Sequence, residues 1–261
     1  MAITSLDGLV AAAKKQLVYQ KTASRTTVAL IPFSGFDLAG NPGAGALAVG
    51  NTANGIVPTD AIAGYPLIAT PAALLYLATA RWRSSVACWV DVYDCLFSAG
   101  AYAFNANVTL ASQPSYAGRV PGGSYNGLEL WLEAVTAHTG NQSMRIQYQD
   151  QDNNAGDTGV IATGVAPIVG RMFLMPLAAG DSGLQRVNVV TGSVSTAGTF
   201  NVHVMRWLWG CRINAAGQGD VDNLFKTGLP QIFGDSALRF VVTADSTAHG
   251  LPAIRLGTAD G

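Results

Sequence analysis

Between residues 143 and 149 the chain alternates without a fault. Met144, Ile146 and Tyr148 fall on one register, Arg145, Gln147 and Gln149 on the other. A period of two fits a strand with one buried face and does not fit a helix. The same signature, or a run of β-branched and aromatic residues, returns at 26–33, 86–97, 107–111, 128–137, 158–165, 171–176, 183–194, 199–209 and 238–244. Gly-, Asn- and Ser-rich turns separate these segments at intervals of about 8–15 residues. Residues 193–198 read as a hairpin turn joining the strands on either side. Residues 74–80 suit a strand or a short helical turn, and 221–225 a short helix before Gly228-Leu229-Pro230. There is no tandem repeat and no low-complexity tail. The pattern describes an all-β fold, a jelly-roll-like antiparallel β-sandwich, and 261 residues are enough to bury its core.

Two regions depart from the strand pattern. Within residues 4–18, Leu6, Leu9, Val10, Ala13 and Leu17 follow the three/four spacing of one helix face. Thr4 or Ser5 can cap its first turn, Asp7 favours the positive end of its dipole, and Lys14 and Lys15 favour the other end. A helix placed ahead of a β body either docks on a neighbouring subunit or packs on its own domain. Residues 34–70 are crowded with Gly, Asn, Pro and Ala, including Gly40-Asn41-Pro42-Gly43-Ala44-Gly45. Yet Leu47, Val49, Ile56, Val57, Ile62, Leu67 and Ile68 argue against disorder, so this stretch is expected to be an extended arm or lid lying flat on protein. The expected organisation is a helical docking segment (1–25), an arm or lid (26–72) and a β-sandwich domain (73–261).

Composition then restricts function. Asp, Glu, Lys and Arg make up 12% of the residues, about half the usual share, and 30 glycines and many small polar residues stand in their place. Such a chain is suited to pressing much of its surface against other protein. With a net charge of −1 and scattered cations, no basic face for nucleic acid is expected. No apolar run approaches the roughly 20 residues of a membrane span. The first residues do not form a signal peptide, since Lys14 and Lys15 follow the apolar stretch, and folding in cytoplasm is expected. The three cysteines, Cys88, Cys95 and Cys211, read as small buried hydrophobes rather than a disulfide framework. Cys88 and Cys95 would face opposite sides of one unbroken strand.

No constellation of catalytic or metal-binding type stands out, and no cofactor is expected. Asp150, Asp152 and Asn154 begin like an EF-hand loop, but Ala155 and Ile161 replace its required Gly and Glu; a solvated hairpin turn fits better. His138, His203 and His249 lack metal-ligand spacing, and His203 reads as a core residue beside Met205. Glu129 and Glu133, four apart on one strand, are too far separated for a glycosidase pair and read as surface or interface carboxylates. Trp207 and Trp209 share one strand face with Met205 and His203, a stripe suited to a core, an intersubunit seam or a sugar-stacking platform.

The order of several segments resembles the structural proteins of tailed-bacteriophage virions: "ITSLDGLVAA", "AGNPGAGA", "TDAIAGYP", "DVYDCLFSAGAY", "GLELWLEAVTAHTGNQSMRIQYQDQDNNAGDTG", "RMFLMPLAAGDSGLQRVNVV", "GTFNVHVMRWLW" and "GLPQIFGDSALRFVV". The likeness covers nearly the whole chain and rests on turn and strand signatures. Where similar chains tend to read Tyr-Asp-Arg-Leu, this one reads Tyr93-Asp94-Cys95-Leu96, so any ion pair of that Arg is absent. The resemblance implies a copy-rich virion component, on the head or on the tail; the leading reading is a capsid decoration or minor head subunit. It would be non-catalytic, assembled in host cytoplasm, and partnered by copies of itself (a trimer or dimer) and by the major capsid protein. The expected interface residues are Leu6, Leu9, Val10, Leu17, Leu47, Val49, Ile56, Val57, Trp207 and Trp209. Two other roles fit the sequence less well: a tail or fibre module gripping a host-surface glycan, and a polysaccharide depolymerase. The major shell protein itself is a subsidiary reading.

Overall fold

The computed structural model describes residues 5–12, 14–68, 74–164, 168–193 and 197–260. It is a sandwich-like, mostly β fold of three antiparallel sheets. The central sheet has seven strands, in the order β12 (Met172–Met175), β8 (Leu128–Thr136), β14 (Thr199–Ile213), β6 (Cys88–Ala103), β17 (Leu238–Ala244) and β2 (Pro32–Ser34), with β4 (Asn51–Ile56) also on β6. A six-stranded sheet runs β15 (Gly219–Asp222), β5 (Leu75–Arg83), β18 (Ala253–Asp260), β1 (Lys14–Lys21) and β3 (Gly40–Asn41), with β16 (Gln231–Ile232) also on β5. A five-stranded sheet runs β10 (Ala155–Asp157), β9 (Ser143–Asp150), β13 (Leu184–Gly192) and β7 (Asn107–Thr109), with β11 (Ile161–Ala162) also on β9. Two short helices, α1 (Leu6–Ala11) and α2 (Leu224–Thr227), complete the fold with two 3-10 turns at Ala117–Arg119 and Pro121–Gly123.

The length of β6 and β14, 16 and 15 residues, explains how one sheet serves two others. Their far halves face different partners. Val90 and Val92 of β6 and Leu208 and Ile213 of β14 pack with Leu77, Trp82, Ile254 and Leu256 of the six-stranded sheet. Leu96, Phe97, Phe200 and Val204 pack with Ile146, Tyr148, Val187 and Val190 of the five-stranded sheet. Each fully buried side chain of this size stabilises by about 1.5–3 kcal/mol. Between the two cores, on the same face, sit Asp94 and Arg206, directly opposite one another on β6 and β14. The inner face of the central sheet therefore reads apolar, charged, apolar along its long strands.

The outer face of the central sheet is covered in part by the residues expected to form an arm. Phe36, Leu47 and Tyr65 lie over Tyr93, Cys95, Trp131, Met172, Met205 and Val241. Gly45 is required for this close approach, because a Cβ there would come within 2.3 Å of the Phe36 ring. Residues 32–34 and 51–56 are strands of the same sheet, so this segment folds onto its own chain. Its last expected residues, 69–72, lie outside the described ones, as do residues 1–4.

Several expectations need correction. The helix expected over 4–18 ends at Ala11, and Lys14–Lys21 is a strand whose Leu17 pairs with Leu256. Thr4 and Ala13 lie outside the described residues, and Ser5 is the N-cap, accepting from Gly8 N at 3.0 Å. The strands flanking 193–198 do not form a hairpin: β13 pairs with β9 and β7, and β14 with β6 and β8; residues 194–196 are outside the described ones. The strand expected at 158–165 is reduced to Ile161–Ala162, with 165 outside the described residues. Trp207 and Trp209 do not share a face. A register shift between them sends Trp209 into the core against Trp82, with ring centroids 5.3 Å apart, and leaves Trp207 half exposed. Cys88 and Cys95 do lie on opposite faces, one in the inner core and one under the covering segment.

Candidate interaction surfaces and buried polar clusters

The ten expected interface residues separate by burial. Leu6 and Val10 project from α1, 64% and 73% exposed, while Leu9 turns inward onto Ala78 and Ala259. Leu17, Leu47 and Trp209 are buried in their own chain and offer no surface to a partner, a correction that follows from β1, the covering segment and the bulge in β14. Val49, Ile56 and Val57 are half-buried, Val57 against the inner core. Trp207 remains at the surface.

Val221 and Asp222 belong to β15, and the short helix expected at 221–225 lies further along, as α2 at Leu224–Thr227. Asn223 caps it, accepting from Phe225 N at 3.1 Å, and Gly228 closes it in the left-handed conformation with φ +69°. The helix is a single turn that turns Leu224 toward α1 and leaves Phe225 84% exposed. Between the helices runs a groove of about 520 Å³, lined by Leu6, Leu9, Val10, Ala78, Leu224 and the aliphatic part of Lys14. These residues form an apolar platform against β5 and β18 of the six-stranded sheet.

Two clusters of charge are buried under the central sheet. On its inner face Asp94 accepts from Arg119 Nη2 at one oxygen, and from Ser236 Oγ (2.7 Å) and Arg206 Nη2 (3.4 Å) at the other. Arg119 also donates to the carbonyls of Pro58 and Cys95, and Arg206 to that of Gln231. Burial pushes Arg206 below its ordinary range, against the pull of Asp94. This cluster fills the seam between the two apolar cores.

On the outer face Glu133 Oε2 accepts from Arg239 Nη1 (2.7 Å) and Asn201 Nδ2 (3.4 Å) and lies 3.2 Å from His203 Nε2. His203 Nδ1 is 2.8 Å from Ser98 Oγ and 3.9 Å from Cys95 Sγ. Glu133 is therefore not the surface carboxylate expected. Burial opposes its ionisation, but the Arg239 guanidinium and the His203 bond outweigh burial and hold it at about 2. Burial and Arg239 disfavour the charged His203, yet bonds to Cys95 and Glu133 carry it upward. Ser98, His203 and Glu133 stand in the order of a nucleophile, a base and an orienting acid. Ser98 is 3% exposed and the other two not at all, so substrate has no approach. The cluster instead fixes the covering segment: Asn201 Nδ2 donates to the Leu47 carbonyl at 2.6 Å, and Arg239 stacks on Phe36 at 4.5 Å.

The remaining candidates resolve simply. Asp150 spends its carboxylate on its own turn, accepting from Asp152 N, Asn154 N and Asn154 Nδ2, as a hairpin turn does. His138 and His249 are buried; burial holds His249 at about 4. Among the described residues no group of three or more His, Cys, Asp or Glu could hold a metal ion, and no helix is long and apolar enough to cross a membrane. Glu129 lies at the surface, bonded to the Trp131 indole N–H at 2.8 Å.

No protein-family model matches the chain, and no curated protein does. Among solved structures it is similar to two of infectious bursal disease virus. For the Gx strain the identity is 9% over 95% of this chain and 81% of that chain; for the Gt strain it is 11% over 95% and 80%. Both have a TM-score of 0.19, too low to define a shared fold.

Proposed function

We propose that this chain is a non-catalytic structural subunit of a viral particle, of the capsid-decoration or minor-head type, that assembles with copies of itself and with shell protein. The observation that carries the reading is the apolar platform of Leu6, Leu9, Val10 and Leu224, with Leu6 and Val10 mostly exposed and Phe225 of α2 also projecting into solvent. Lys14 and Lys15 border it, and Lys226 pairs with Asp222 beside α2. Each 100 Å² of apolar surface covered stabilises by about 2.5 kcal/mol before ordering costs, and repetition over many copies turns weak contacts into a stable shell. The likeness of its segments to tailed-phage virion proteins supports the particle setting. The closure of the Ser98–His203–Glu133 cluster to solvent supports a non-catalytic role.

The test has two arms. Sedimentation of the pure chain is expected to give a closed dimer or trimer, and Val10→Asp with Phe225→Asp is expected to give a folded monomer. An electron-microscopy map of the intact particle is expected to place the chain on the head. A monomer at every concentration, together with no density for the chain in the particle, overturns the reading.

A further inference from the structure

Beyond the covered region, the outer face of the central sheet carries a second constellation. Trp207 is 50% exposed there. Its indole N–H donates to Asp91 Oδ1 at 3.1 Å, which holds the ring against the sheet. Asp91 reaches it through Gly210, the residue opposite it on β14. A Cβ at Gly210 would lie 2.4 Å from that Asp91 oxygen. On the other side of Trp207 stands Glu129, paired across the strands with Met205 and bonded to Trp131. Tyr93, opposite Trp207 on β6, stacks edge-on with Trp131 at 5.7 Å. Next to Glu129 the surface dips into a pocket of about 280 Å³ lined by Leu174, Pro176, Asp181 and Glu129 itself.

Both carboxylates are partly withdrawn from water. Burial pushes Asp91 above its usual range; burial, and then Asp91, do the same to Glu129. Asp91 Oδ1 accepts from the Trp207 indole N–H, and Glu129 accepts from the Trp131 indole N–H and from the Tyr93 side chain; a carboxylate oxygen has room for a further donor. Carboxylates in such a setting are satisfied best by a ligand rich in hydroxyl donors. A protein interface would place apolar groups here, since charge is depleted at interface cores. A sugar brings both needed parts. Its C–H face is complementary to the electron-rich face of an indole, and its hydroxyls donate to carboxylates. Two acids without an arginine or lysine bonded to them would repel carboxylated or sulfated sugars.

We propose that Trp207, Asp91 and Glu129 form a binding site for a neutral oligosaccharide, with one sugar ring on Trp207 and its hydroxyls bonded to the two carboxylates. The assignment is independent of the platform at α1 and α2 and goes beyond the structural role proposed for the chain.

The test is titration of the full-length protein, by calorimetry and tryptophan fluorescence, against chitohexaose, maltohexaose and mannohexaose, with hyaluronan and alginate hexamers as acidic counterparts. At least one neutral hexamer is expected to bind, and the acidic ones are expected not to. Trp207→Ala is expected to weaken binding about 30-fold or more, as loss of an aromatic anchor does. Glu129→Gln and Gly210→Ala, the second by displacing Asp91, are each expected to weaken it about tenfold. Circular dichroism checks that each variant is folded. Phe225→Asp should bind sugar as the unaltered chain does, so failure here and failure of the assembly reading are told apart. No binding of any neutral hexamer, or equal binding by Trp207→Ala, overturns the proposal. So does a change of oligomeric state on Trp207→Ala with no sugar bound, which would make the patch a protein interface.

Discussion

Asp94 lies under the inner face of the central sheet and Glu133 under its outer face, and the two carboxylates are completed differently. Both oxygens of Asp94 are taken, by two arginines and a serine drawn from three separate segments. Glu133 gathers its partners on Oε2 alone, and Oε1 has none. The inner cluster joins two cores that would otherwise meet across a gap. The outer one fastens a single covering segment to a sheet that is already formed. A buried ion cluster is weak evidence of net stabilisation, but breaking one is costly, and the cost should follow how many parts it joins.

Asp94→Ala should therefore be the most damaging change. It strands Arg119 and Arg206 in the interior, and a loss of about 4–5 kcal/mol is expected in urea unfolding. A loss under about 1 kcal/mol would remove the distinction between the two faces. Glu133→Gln leaves Arg239 without its counterion but keeps an acceptor, and about 3 kcal/mol is expected. Hydrogen exchange should rise in residues 36–65 and not in β9 or β13; uniform loosening would show that the outer cluster is not local.

Acid separates the outer cluster from a second buried group. Glu133 is held near 2 when folded, against 4.5 for the free side chain. Its contribution is whole above about 4.5 and is lost as pH falls toward 2. His249 is held near 4 against 6.5. Its neutral form is favoured by folding, so its contribution is whole above 6.5 and is lost as pH falls to 4. His249→Gln should abolish the loss between pH 6.5 and 4, on the order of 2–3 kcal/mol, and leave the lower leg to Glu133. If the variant and the parent lose stability in parallel over that interval, His249 is not the group responsible. The smallest effect is expected at Trp207→Ala, within about 0.5 kcal/mol, because the bulge has already delivered its neighbour Trp209 to the core. A larger loss would mean that the exposed ring is structural.

How much of this was readable in advance depended on whether local pattern and tertiary role agreed. The strands at 128–136, 143–150 and 238–244 were legible because their apolar residues and turns announce them. β1 was not, because Leu6, Leu9, Val10, Ala13 and Leu17 mimic a helix face, and because one of its inward residues is Lys21. That lysine is 2% exposed and donates to the carbonyls of Leu38 (2.9 Å) and Pro42 (3.0 Å), which no alternation rule anticipates. The exchange of faces between Trp207 and Trp209 depends on a bulge that leaves no mark in composition. Glu133 read as a surface acid because its partners, His203 and Arg239, are 70 and 106 positions away. Asp91 and Glu129 lie on different strands and come together only when β14 is laid between β6 and β8.

The pairing of β1 with β18 sets a condition on synthesis. The Lys15 carbonyl receives the Thr258 hydroxyl across 243 positions of chain, and β18 is also the strand that joins β1 to β5. Closing so long a loop is slow compared with local contacts. A polypeptide still on the ribosome cannot close this sheet until residues 253–260 have emerged. Leu9 rests on Ala78 and Ala259, so the seat of α1 is built by that same late strand. The surface that carries Leu6 and Val10 therefore takes its final position only once β18 has paired.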